Sequence, residues 1–90
     1  MAYQVTFSPR ARREIQSLPR AAQVRIAPRI AALADELRPP GVKKLSAEAE
    51  LYRIRVGDYR VIYAIEEAEL IVLVVMVGDR KEVYRRRLGF

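Results

Sequence analysis

Ninety residues, 51 % hydrophobic and 31 % charged, have the make-up of a compact soluble domain that withdraws roughly 60 % of its extended surface from water on folding. One domain spanning residues 1–90 is expected, because two separate cores would each be too small. The chain has no cysteine and no histidine, which excludes disulfides, Cys-based zinc or iron–sulfur sites and imidazole acid–base chemistry. Seventeen basic against eleven acidic residues leave a net charge of +6, which favours polyanionic partners. The longest apolar run, Leu70 to Val77, falls far short of the ~20 residues of a membrane span, and no signal pattern opens the chain. A cytoplasmic protein without membrane contact is expected.

Tyr3 to Phe7 alternates large apolar and polar residues and reads as a short strand. Ser8 and Pro9 then supply a helix cap and a favoured first helical residue, and Ala11, Ile15 and Leu18 share one stripe. Leu18-Pro19 ends that helix. From Arg20 to Leu37, Ile26, Ile30, Leu33 and Leu37 recur at helical spacing, which predicts a second helix that continues, kinked, through Pro28. Pro39-Pro40-Gly41 closes it with a turn.

The period then changes to two. Tyr52, Ile54 and Val56 alternate with Arg53 and Arg55; Gly57-Asp58 is a two-residue turn led by glycine; Tyr59, Val61, Tyr63 and Ile65 alternate with Arg60, Ile62 and Ala64. This pattern predicts a β-hairpin. After a turn at Glu66 to Glu69, Leu70 to Val77 reads as a central strand covered on both faces and stopped by Gly78. The expected fold is α+β, in the order β-α-α-β-β-β: a small antiparallel sheet with an N-terminal two-helix hairpin packed on one face.

The two-residue turn sets the register, so Arg55 faces Arg60 across the hairpin with Arg53 on the same side. Like charges directly opposite are destabilising by up to ~1 kcal/mol. Selection for stability would place a glutamate at one of these positions; three guanidiniums together suit phosphate. A plain solvated face of splayed arginines is the competing reading. Arg80 leaves the last strand near the same patch, followed by Tyr84 and by Arg85, Arg86 and Arg87. No carboxylate cluster of the kind that holds Mg²⁺ is visible, and no cofactor motif occurs, so neither a metal nor a cofactor is called for.

Lys44-Leu45, Leu51-Tyr52-Arg53-Ile54-Arg55, Gly57-Asp58-Tyr59-Arg60-Val61-Ile62-Tyr63, Val77-Gly78-Asp79-Arg80 and Glu82-Val83-Tyr84 together resemble the RelE branch of the RelE/ParE toxin superfamily over nearly the whole chain. The resemblance implies a bacterial or archaeal type II toxin that cleaves mRNA in the ribosomal A site without a metal. Arg53, Arg55, Arg60, Arg80 and Tyr84 would stand at its catalytic positions, with Lys43, Lys44, Lys81 and Arg85 binding substrate. The implied partners are a cognate acidic antitoxin, the 70S ribosome with its mRNA, and operator DNA for the toxin–antitoxin hetero-oligomer. The best-studied pattern has lysines where this chain has Arg53 and Arg55, and guanidinium is a poor proton shuttle. The alternatives are a ParE-like inhibitor of DNA gyrase and a non-enzymatic nucleic-acid-binding module.

Overall fold

The computed structural model describes residues 2–46 and 48–79. Strand β1 (Gln4–Phe7) leads into helices α1 (Pro9–Gln16) and α2 (Arg20–Ala32). Then follow β2 (Lys43–Lys44), β3 (Leu51–Val56), β4 (Tyr59–Glu66), a 3₁₀ turn at Glu67–Glu69 and β5 (Ile71–Asp79). The sheet order is β1-β5-β4-β3-β2, with the helices on one face.

The expected α+β arrangement is present, with two differences in the sheet. It is mixed rather than wholly antiparallel, because β1 runs parallel to β5, from Gln4 beside Ile71 to Phe7 beside Val74. Lys43–Lys44 also forms a short edge strand on β3. A parallel pair needs a long crossover, and here everything between β1 and β5 serves as one, a closure that local patterning does not reveal.

Ser8 caps α1 by accepting the Ala11 amide at 3.0 Å, with Pro9 at the start of the helix. The helix ends at Gln16, two residues short of the Leu18 boundary read from the sequence, and the Ser17 hydroxyl donates to the Glu14 carbonyl at 2.9 Å. Helix α2 runs through Pro28 but closes at Ala32 rather than reaching Leu37. Leu33 stays in the core at 1 % exposure, after which tight turns redirect the chain so that the Leu37 carbonyl accepts the Tyr63 hydroxyl at 2.7 Å. Tyr63 is fully buried, and desolvation pushes its phenol up to about 12. A buried hydroxyl requires an acceptor, and the Leu37 carbonyl provides it.

Ile26 and Ile30 from α2, Leu33 just beyond its end and Ala11 from α1 pack on Tyr52, Ile54, Val61, Tyr63, Val72 and Val74. A fully buried aliphatic side chain of this kind contributes about 1.5–3 kcal/mol. A smaller cluster of Ile62 and Met76, with Leu45 and Leu51 against it, covers part of the opposite face.

The last strand runs past Gly78 to Asp79, because β4 still offers partners there: Arg60 beside Gly78 and Tyr59 beside Asp79. Gly78 therefore does not stop it. Between the Ile62–Met76 and Tyr63–Val74 pairs the register shifts, leaving Val75 as an extra residue. Strand β1 has ended by this point, and α1 covers the exposed edge of β5 instead. The Ser8 hydroxyl donates to the Val75 carbonyl at 3.0 Å, and the Val77 amide donates to Glu14 Oε1 at 2.8 Å.

Removing the Glu14 acceptor strands a half-buried backbone amide. Glu14→Ala is expected to cost about 1–3 kcal/mol and lower the Tm by about 5–15 °C, while Glu14→Gln, which keeps an acceptor oxygen, loses less than half of that. Differential scanning calorimetry of the two variants checks it.

Candidate nucleic-acid interface

Residues paired across a ladder point to the same face. Tyr52, Ile54, Val56, Val61 and Tyr63 turn toward the helices, so Arg53, Arg55 and Arg60 turn away from them. The register places Arg55 directly opposite Arg60 and Arg53 opposite Ile62, as the hairpin pattern predicts. Strand β2 brings Lys43 beside Arg53. Across the sheet, one row therefore reads Lys43, Arg53, Ile62, and the next reads Arg55, Arg60, Gly78. Gly78 adds no side chain to the second row.

Arg60 is only 4 % exposed and is the one buried charged residue among the described residues. Its guanidinium donates to the Tyr59 carbonyl at 3.2 Å, and its Nε has no acceptor among the described residues. Withdrawing a cation from water without a counter-charge is costly. A phosphate oxygen supplied to those donors would make a short, charge-assisted hydrogen bond. Arg55 is exposed and Arg53 half-buried, so the patch grades from solvent inward to Arg60.

Lys44 does not join this patch. It pairs with Tyr52 and faces the helix side, where its Nζ reaches Glu50 Oε2 at 3.1 Å and lies 5.8 Å from the Tyr52 ring centroid. Arg38 completes the cluster, donating from Nε to the Tyr52 hydroxyl at 2.9 Å and from Nη2 to Glu50 Oε1 at 2.8 Å and Glu67 Oε2 at 3.2 Å. The Tyr52 hydroxyl donates to Glu50 Oε1 at 2.8 Å. Hydrogen bonds from Tyr52, Arg38 and Lys44, in that order, hold the Glu50 carboxyl down at about 2. Hydrogen bonds to Tyr52, Glu50 and Glu67, in that order, shift Arg38 upward. The cluster pins the turn after α2 to β3 and so fixes the strand that carries Lys43. Arg38, Glu50 and Glu67 lie far apart along the chain, and nothing in local periodicity singles them out.

Arg80, Lys81, Tyr84 and Arg85 lie outside the described residues. The last described residue of β5, Asp79, pairs with Tyr59, next to Arg60. The described part of the site is thus the sheet face of Lys43, Arg53, Arg55 and Arg60, bordered by the end of β5.

The family model for the ParE toxin of type II toxin–antitoxin systems, parDE, matches residues 5–84. The chain belongs to this toxin family, within the RelE/ParE superfamily. It is a RelE-like toxin of a type II toxin–antitoxin system. An Escherichia coli protein described as a RelE-like toxin is 34 % identical over 88 residues, covering 93 % of this chain and 92 % of that one. Toxin RelE in the archaeal RelE–RelB complex of Pyrococcus horikoshii is similar at 32 % identity and a TM-score of 0.77, over 89 % of this chain and 97 % of that one. A doubly substituted E. coli RelE in the free state gives a TM-score of 0.81 at 25 % identity, over 99 % and 97 % of the two chains.

Replacing a buried cation by an apolar side chain of similar length is neutral or stabilising. Arg60→Met in this toxin is expected to leave the Tm unchanged or raise it by a few degrees while abolishing growth inhibition. A fall of more than about 5 °C, on the order of 1 kcal/mol, would make Arg60 structural.

Proposed function

We propose that this toxin is a ribosome-dependent endoribonuclease that cleaves mRNA in the A site without a metal. The observation that carries the reading is Arg60, buried with an unsatisfied Nε and set directly across from Arg55. Such an arrangement opposes folding and favours an anion.

RNA brings its own nucleophile. The 2′-oxygen attacks the adjacent phosphorus, the bond to the 5′-oxygen breaks, and the products are a 2′,3′-cyclic phosphate and a 5′-hydroxyl. The protein has to hold the 2′-oxygen in line and neutralise the charge that grows on the pentacoordinate phosphorus. Arg53, Arg55 and Arg60 supply that charge from the sheet, and Arg80, in the segment after β5, adds to it and hydrogen-bonds the leaving 5′-oxygen, which takes its proton from water. Guanidinium stays protonated, so Tyr84 is the residue left to take the 2′-proton, its acidity increased by the surrounding cations. Lys43 extends the basic path along the RNA, with Lys81 and Arg85 on the tail. Lys44, already held by Glu50, is not part of it.

The partner side of the reading rests on the neighbouring structure, in which RelE is complexed with RelB. A cognate acidic antitoxin fits a chain of net charge +6, and its association rate should fall with salt. The cytoplasm is the compartment where such a toxin meets translating ribosomes.

A second reading is a ParE-like toxin acting on DNA gyrase, which the description of the matching family model favours. Primer extension on translated mRNA separates the two. The wild type should produce discrete cuts that survive EDTA, and Tyr84→Phe should bind ribosomes but cut about 10²-fold more slowly or worse. Equal cutting by Tyr84→Phe would remove Tyr84 from the mechanism. No cutting by the wild type would favour gyrase inhibition or binding alone.

A further inference from the structure

One cation near the basic face comes from the helical layer. At the tip of the hairpin, Gly57 has φ +62°, and a β-carbon there would meet Arg25 Nη2 at 2.5 Å, Cζ at 3.0 Å and Nη1 at 3.1 Å. The Arg25 guanidinium, extended from α2, occupies the space that a side chain at position 57 would need. Among the described residues no carboxylate pairs with it, although Asp58 is its neighbour's neighbour in the turn. The pairs Val56–Tyr59 and Arg55–Arg60 follow immediately from this turn, and Asp79 ends β5 beside Tyr59. The hairpin tip is therefore where the helix-side cation Arg25, the Arg55–Arg60 pair and the end of β5 come within a few residues of one another.

We infer that Arg25 is a further substrate contact, binding a backbone phosphate of single-stranded RNA that wraps around the hairpin tip. This inference rests on the RNA-cleavage reading and extends its binding surface beyond the sheet face. The turn itself calls for glycine at its first position, where φ is +62°, and the guanidinium fills the space that the absent β-carbon leaves.

The test uses the full-length toxin with a short single-stranded RNA oligonucleotide bearing 2′-deoxy substitution at the cut site, titrated over a range of salt. Arg25→Gln should weaken binding about tenfold and reduce the slope of log affinity against log salt by about 0.7, the share of one phosphate on a single strand. Arg25→Lys should recover part of the affinity. Unchanged affinity and slope in Arg25→Gln, a lower Tm with unchanged slope, or no RNA binding by the wild type would each overturn the inference. Primer extension run in parallel keeps the two claims apart. Wild-type cleavage with an unchanged Arg25→Gln slope sinks only the Arg25 contact, whereas a reduced slope in a wild type that cuts nothing sinks only the nuclease reading.

Discussion

The two-residue turn at Gly57–Asp58 is the constraint on which the rest of the molecule depends. In a hairpin whose side chains alternate, one step of slippage would send every side chain to the other face. The turn holds the register in which Tyr52, Ile54, Val56, Val61 and Tyr63 meet the helices and the arginines do not. The cost of that choice is the Arg55–Arg60 pair, which the core has to offset. The fold thus supplies an apolar sheet face firm enough to hold a repulsive basic face in place.

The remaining elements hold that basic face from both sides. On one flank, α1 replaces β1 as the neighbour of β5, with Ser8 and Glu14 meeting the groups that the bulge at Val75 and the short β1 leave open. This keeps β5 paired with β4 as far as Asp79, and so brings the end of β5 beside Tyr59 and Arg60. On the other flank, the Arg38–Glu50–Tyr52 cluster ties the connection after α2 to β3, positioning Lys43 beside Arg53. Lys43 and Lys44 are adjacent in sequence yet serve opposite faces, one lengthening the basic patch and the other neutralised by Glu50.

What was legible beforehand was what short-range geometry decides. The alternation of Tyr52 to Val56, the glycine-led turn and the cross-strand arginines required only the period of a strand and the length of a turn. The α+β order and the resemblance to RelE/ParE toxins followed from the same segments. Features set by distant partners were hidden. Leu37 lies beyond the helix, its carbonyl accepting from the distant Tyr63; Gly78 stays in the strand because Arg60 is there to pair with; β1 finds β5 only once the chain has closed. Burial of Arg60 belongs to the same class, since the residues that flank it across the ladder, Arg55 and Gly78, come from two other strands. Arg25 could not be placed at the hairpin tip from periodicity, because the contact depends on how α2 packs over the turn.

The central claim is that the helix-free face, and Arg60 above all, is built to receive phosphate rather than to hold the fold together. Nitrogen-detected NMR of the arginine Nε–H groups, with millimolar uncleavable trinucleotide added to the full-length toxin, tests it most directly. The account predicts that the Arg60 Nε–H shifts and its exchange with water slows, with Arg53 and Arg55 following, while arginines on the outer surface of α1 stay nearly unchanged. Shifts confined to the helical arginines, with Arg60 unmoved at saturation, would contradict it.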